Sequence, residues 1–230
     1  MKIVSFKICP FVQRVTALLE AKGIAYDVEY ISLSDKPQWF LDVSPNGQVP
    51  VLITDNGAAL FESEAIVEYL EEVSDIKHMG DSAEQRALAR AWGYLAAKTY
   101  LPQCGAMSAS SKSSLQERHD KLRVTLNKLE KALPAEGFFS GQKLGWVDIA
   151  WLPILHRFEI IKRCAGFDFL EGFSKVTAWQ QRLMKTGIAE QSVADDFEEK
   201  FVGYYLSNST YLGQLRGERS LGKCCAANCC

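Results

Sequence analysis

The chain has 230 residues, 47% of them hydrophobic and 23% charged, with 26 Lys and Arg against 28 Asp and Glu for a net charge of −2. That length supports one large domain or two small ones with a sizeable core, and the balanced charge excludes the broad positive field of a dedicated nucleic-acid binder. No window approaches 18 continuous apolar residues and "MKIVSFKICPF" has no signal-peptide core, so a cytoplasmic protein without stable membrane insertion is expected.

Residues 1–6, "MKIVSF", read as a buried strand, and "PFVQRVTALLEAKG" as a helix. Its apolar stripe runs through Phe11, Val15, Leu18, Leu19 and the stem of Lys22 and ends at Gly23. A second strand follows in "AYDVEYISL", then a connection, then "PVLIT" and "AALF" flanking the hairpin signal "DNG". "ESEAIVEYLEEVS" returns to helical spacing through Ile66, Val67 and Leu70. A helix between the first two strands implies a parallel pair by a right-handed crossover, to which the hairpin adds an antiparallel strand.

After "DIKHMGDS" the strand signals stop, and helical periodicity covers stretches near 83–108, 114–133, 146–164, 173–186 and 190–206. Ser114 with Glu117 reads as a capping box, while Pro134, Gly137 and Gly187 mark helix ends. The expected organisation is therefore a mixed α/β unit at 1–76 and an all-helical unit at 83–206. Residues 207–230, ending "GQLRGERSLGKCCAANCC", read as a flexible Cys-rich tail.

Seven cysteines are placed unevenly: Cys9, Cys104 and Cys164 stand alone, and four crowd the last seven residues. This is not a disulfide framework. Cys104 and Cys164 read as small buried hydrophobes. The tail cysteines are consistent with a nonessential tail, a soft-metal or redox site, or lipidation.

Cys9 differs because it sits at or beside the N-cap of the first helix, with Pro10 at the first helical position. Free N–H groups and the helix dipole stabilise an anion there, and such thiols can have pKa values lowered from about 8.5 to roughly 3.5–7.5. A Cys9 thiolate at neutral pH is thus expected. Arg14, one turn on, reads either as added positive potential or as a solvated surface charge. Position 12 is Val, so no C-x-x-C dithiol exists and a redox Cys9 must be resolved by an external thiol. Glutathione is the abundant cytosolic candidate.

"NGQVPVL" offers a site for such a peptide, because Pro50 at a strand entry is compatible with a cis bond that presents the Val49 backbone to an extended ligand. In "FESEAI", Glu62 and Ser63 at a helix start suit an amine and a carboxylate. The alternative is that Ser63 caps the helix and Glu62 complements its dipole.

Taken together, "CPFVQR", "KPQWF", "NGQVPVL" and "ESEAIVEYL" resemble the glutathione transferase superfamily, in particular its cysteine-type members, the omega class and plant dehydroascorbate reductases. The resemblance implies a thioredoxin-like N-terminal domain plus an all-α C-terminal domain, glutathione as co-substrate, and a homodimer. It implies that Cys9 forms a mixed disulfide with glutathione, that Phe11, Lys36, Val49 and Pro50 contact the peptide, and that Glu62 with Ser63 grip its γ-glutamyl end. "FFSGQKLGWVDIAWLPIL" is similar to the family's buried helix, with Asp148 in place but Gly145 at the usual Ser or Thr cap. Trp92, Tyr94 and Tyr100 lie where the family builds its second-substrate pocket, yet aromatics at helical spacing more often build core.

The implied activity is glutathione-dependent thiol transfer or reduction: dethiolation of mixed disulfides, or reduction of dehydroascorbate. Reduction of glutathionyl-hydroquinones and conjugation to electrophiles are alternatives within the enzyme class. A non-enzymatic interaction protein on the same fold, similar to stringent starvation protein A, is the alternative from another class.

Overall fold

The computed structural model describes the backbone of residues 1–227 and the side chains up to residue 219. The cysteines at 224, 225, 229 and 230 lie outside the described side chains.

The N-terminal part runs β1 (Lys2–Ser5), α1 (Pro10–Lys22), β2 (Asp27–Tyr30), α2 (Gln38–Val43), β3 (Val51–Ile53), β4 (Ala59–Phe61) and α3 (Ser63–Val73). The sheet order is β2-β1-β3-β4. Ile3 pairs Val28 in the parallel β1/β2 ladder and Leu52 in the antiparallel β1/β3 ladder, while Leu52 pairs Leu60 in the hairpin. Alternation sorts the two faces. Ile3 and Leu52 bury against α1 and α3 through Leu18, Leu19, Ile66 and Leu70. Val4 and Val51 point the other way and pack on Phe40. That second face explains α2 in the connection between β2 and β3: its Phe40 is fully buried as a cover for the sheet. The buried Lys22 Nζ meets Glu71 at 2.8 Å and ties α1 to α3.

The helical part comprises α4 (Ala83–Met107), α5 (Lys112–Ala132), α6 (Trp146–Ala165), α7 (Ser174–Met184), α8 (Ile188–Gln191), α9 (Phe197–Tyr205) and α10 (Tyr211–Ala227). This is a thioredoxin-like sheet unit followed by a helical unit, as expected. Three details differ. The capping box of α5 is Ser111 with Ser114, one turn before the expected one. Glu117 pairs instead with Lys121 at 2.7 Å along the helix surface. The stretch read as one helix at 190–206 is two, broken between Gln191 and Phe197. The expected tail is helical over Tyr211–Ala227, because Leu212 is fully buried and the Tyr211 N–H bonds the Ala109 carbonyl at 2.8 Å.

Helix α6 is the centre of the helical part, with Ile149, Ala150, Trp151, Leu152, Ile154 and Leu155 all fully buried. Its first turn is held by Asp148, whose carboxylate accepts from the Gly145 N–H at 2.8 Å, the Phe139 N–H at 2.9 Å and Trp179 Nε1 at 2.6 Å. A glycine at the cap therefore removes only one local acceptor. Burial pushes the Asp148 carboxyl pKa up, against these three donors.

The approach of α4 to α6 requires Gly93. A Cβ placed there lies 2.3 Å from Trp146 Nε1, a contact no packing tolerates without displacing the indole, which is itself 4% exposed. Alanine has the better helix propensity by up to about 1 kcal/mol, but overpacking costs more. Gly93→Ala is expected to lower unfolding free energy by about 1–3 kcal/mol in urea titrations.

Candidate functional site

The corner between β1 and α1 carries the predicted nucleophile. The Cys9 N–H bonds the Phe6 carbonyl at 3.0 Å, and the Cys9 carbonyl accepts from the Gln13 N–H at 3.1 Å. Cys9 is the N-cap of α1 with extended backbone (φ −75°, ψ 122°), and Pro10 begins the helix. Its thiol is free and half-buried. Its side chain makes no capping hydrogen bond. Burial pushes the thiol pKa up, and the Val12 and Phe11 N–H groups and the Arg157 charge act in the opposite direction. The expectation of a lowered thiol pKa is corrected accordingly: burial of the sulfur acts more strongly than the Val12 and Phe11 N–H groups and the Arg157 charge together.

Five of the other predicted residues, Phe11, Val49, Pro50, Glu62 and Ser63, surround one hollow of about 90 Å³, with Asn46 and Glu64 completing its polar wall. The Val49–Pro50 bond is cis. Lys36 stands at the rim rather than in the lining; its Nζ lies 3.7 Å from where a Gly47 Cβ would be. Cys9 does not line this hollow. It borders a separate crevice of about 30 Å³ with Lys7, Val12 and Tyr30.

Glu62, not Ser63, is the N-cap of α3, and it makes no side-chain cap bond. It is the one non-glycine residue among those described with positive φ (65°), a conformation that costs of order 1–3 kcal/mol and persists where surroundings enforce it. Asn46 Nδ2 donates to Glu62 Oε1 at 2.8 Å and orients the exposed carboxylate. Ser63 is 3% exposed. Of the helical-domain aromatics, Tyr100 is fully buried and edge-on to Phe11 at 5.0 Å, Trp92 packs on Phe139 at 5.0 Å, and Tyr94 is exposed.

Two family models match the chain, the glutathione S-transferase N-terminal domain over residues 8–73 and the glutathione S-transferase C-terminal domain over residues 113–182. Among curated relatives, glutathione S-transferase DHAR2 of Arabidopsis thaliana is 36% identical over 66% of this chain and 68% of its own. The chain belongs to the glutathione S-transferase family. Glutathione S-transferase omega-1 of Sus scrofa is 28% identical over 91% of this chain and 87% of its own. The crystal structure of glutathione transferase Omega 3C from Trametes versicolor superposes with a TM-score of 0.73 at 26% identity, covering 84% of this chain and 89% of that one.

In this transferase the residues that pattern reading missed are buried charges and amides. Arg14 is fully buried rather than solvated, 3.0 Å from Glu64 and 6.0 Å from the Tyr100 ring centre. The signal was present: Arg14 is three residues after Phe11 and four before Leu18, on the buried stripe. Gln13 Nε2 lies 3.0 Å from His156 Nδ1 and 3.2 Å from the Ala189 carbonyl, and Arg157 Nη1 donates to Gln13 Oε1. No spacing within α1 reveals these partners, because they stand more than 140 residues away.

The donated Gln13 N–H makes His156 Nδ1 an acceptor, so the imidazole is neutral with its proton on Nε2. Burial, with Arg157 adjacent, lowers its pKa from 6.5 to about 3. Below pH 6.5 the unfolded chain binds a proton that the folded chain refuses, so stability present above that pH is lost as pH falls toward 3. The slope is at most about 1.4 kcal/mol per pH unit. Between pH 7 and pH 5, His156→Gln is expected to lose about 1–2 kcal/mol less than the unaltered protein in urea titrations.

Proposed function

We propose that this protein is a glutathione-dependent thiol transferase or reductase in which Cys9 is the nucleophile. The observation that carries the reading is the placement of a free cysteine at the N-cap of α1, two residues before Phe11, which walls the hollow formed by Val49, Pro50, Glu62 and Ser63. A hydroxyl at that position would stabilise the glutathione thiolate; a thiol competes to become the nucleophile itself. The omega and dehydroascorbate-reductase-type names of the relatives support the same side of the division.

In the proposed cycle, glutathione lies across the hollow with its γ-glutamyl amine toward the Glu62 carboxylate and its α-carboxylate toward Ser63. The Val49 backbone pairs with the cysteinyl part, and Lys36 at the rim meets the glycyl carboxylate. The Cys9 thiolate attacks the glutathionyl sulfur of a mixed disulfide R–S–S–G. The Cys9–S–S–G bond forms as the substrate thiolate leaves. A second glutathione thiolate then attacks the glutathionyl sulfur, releasing oxidised glutathione and regenerating Cys9. With dehydroascorbate as oxidant, the Cys9 thiol and one glutathione thiol are oxidised together to Cys9–S–S–G as ascorbate takes up their two electrons and two protons, and a second glutathione thiolate then releases oxidised glutathione. The expected homodimer and cytoplasmic location belong to this proposal; among the described residues no helix is long and apolar enough to cross a membrane.

Treatment with oxidised glutathione, followed by peptide mass spectrometry on a form with the four tail cysteines changed to Ser, is expected to give one adduct at Cys9. Cys9→Ser is expected to abolish it, and persistence of the same single adduct in that variant overturns the assignment. Loss of one charged hydrogen bond to the ligand amine is worth roughly 1.5–3 kcal/mol. Calorimetric titration of Glu62→Ala with glutathione should therefore show affinity weakened by about 10-fold to 100-fold.

A further inference from the structure

Helix α6 carries His156, Glu159, Ile160 and Arg163 at spacings of three and four, so they share one face. That face, together with residues of α7, α8 and α9, lines a cavity of about 480 Å³, a size suited to a small molecule. None of its lining residues belongs to the hollow beside Pro50 or to the crevice at Cys9.

Two deeply buried side chains line this cavity, His156 at 6% exposure and Gln180 at 4%. The direction of each is fixed by its own partner. Arg157 Nη1 can only donate, so the Gln13 atom it meets is the oxygen. The Gln13 nitrogen, which also donates to the Ala189 carbonyl, therefore faces His156 Nδ1 at 3.0 Å. His156 Nδ1 accepts, and its Nε2–H is a donor that no described group receives. Gln180 Nε2 donates to the Leu155 carbonyl at 2.8 Å, so its Oε1 is an acceptor with no described donor. Polar groups this deeply buried lose free energy unless something in the cavity pairs with them.

The charges around them are also incompletely met. Arg163 and Glu198 neutralise each other at 2.7 Å. The half-buried Glu159 and the exposed Glu190 and Lys185 have no ion-pair partner among the described residues. Ile160 and Met184 add apolar surface. A simple anion leaves the acceptors and carboxylates unmet, and a simple amine leaves the His156 donor and Lys185 unmet. An α-amino acid meets both sets: its carboxylate accepts from His156 and Lys185, and its ammonium donates to Gln180 and Glu159.

We propose that this cavity binds the α-ammonium and α-carboxylate pair of an amino acid, with an aliphatic side chain against Ile160 and Met184. That pair occurs in free amino acids and at the γ-glutamyl end of glutathione. The inference does not depend on the role of Cys9. In the full-length protein, saturation-transfer NMR titrations follow L-norleucine, with hexanoate and pentylamine as matched analogues lacking the ammonium and the carboxylate. Norleucine is expected to saturate below about 10 mM and to bind at least about tenfold tighter than either analogue. It is expected to shift the ring nitrogen signals of His156 and leave those of His78 and His119 in place. Glu159→Gln is expected to weaken norleucine about tenfold and Lys185→Met about threefold. Glu62→Ala, which alters the hollow beside Pro50, is expected to leave norleucine affinity unchanged. Absence of saturation, equal affinity for norleucine and either analogue, or weakening by Glu62→Ala and not by Glu159→Gln overturns the proposal. Displacement of norleucine by S-methylglutathione in the Glu62→Ala variant assigns the site to the γ-glutamyl end of glutathione; without displacement it belongs to a free amino acid.

Discussion

The Arg157 guanidinium is held at the meeting of α1 and α6 by three oxygens, from Ile8, Gln13 and Pro153, none of them a carboxylate. A charge without an ion-pair partner in a dry junction is expensive, and the protein meets that cost with hydrogen bonds whose geometry leaves little freedom. The same Gln13 that receives one of these bonds turns its amide N–H groups to His156 and Ala189. Thr16, one turn further, donates to the Ser192 carbonyl at 2.7 Å. The start of α1, and with it the corner that carries Cys9, is thereby registered against α6 and α8.

The charge at this junction also bears on chemistry. A helix terminus by itself offers a sulfur partial charges that fall off within one turn, and here burial works against them. The Val12 and Phe11 N–H groups act most strongly against that burial, and the Arg157 charge adds to them. The helical part thus has two relations to Cys9, a mechanical one through Gln13 and an electrostatic one through Arg157. The hollow beside Pro50, by contrast, is built by the N-terminal part alone, from the β3 entry, β4 and the first turn of α3 with Phe11 of α1. There Glu62 is held in a positive-φ conformation with its carboxylate fastened to Asn46.

Sequence reading worked wherever the deciding interactions are local or periodic. Alternation in "KIVS" and "VLI" fixes two buried sheet faces, the "DNG" turn makes the hairpin, and the stripe of α1 from Phe11 to Lys22 finds the sheet. It faltered where a partner far along the chain chooses between local options. Ser111 and Ser114 compete as caps within one turn, and α5 takes the earlier one. The "GQLRGERS" segment carries few apolar residues, but Leu212 finds a buried site and the segment becomes helix α10. Arg14 lies on the apolar stripe by spacing but carries a charge that favours the surface, and Glu64 resolves the conflict.

Local chemistry in the sequence by itself determined the four strands, the hairpin and the helices that follow β1 and β4, the cysteine at a helix start without a second thiol at position 12, and the residue types around the hollow. These follow from backbone periodicity, turn propensity and the chemistry of single side chains, which act over a few residues. Tertiary structure alone decided that five of those residues share one hollow and that Lys36 stands at its rim. It also decided that Cys9 is half-buried beside a cation from the other domain. Burial and long-range charge depend on what packs against a group, and one charge that reaches Cys9, that of Arg157, stands 148 positions away in the chain, beyond the reach of any spacing rule.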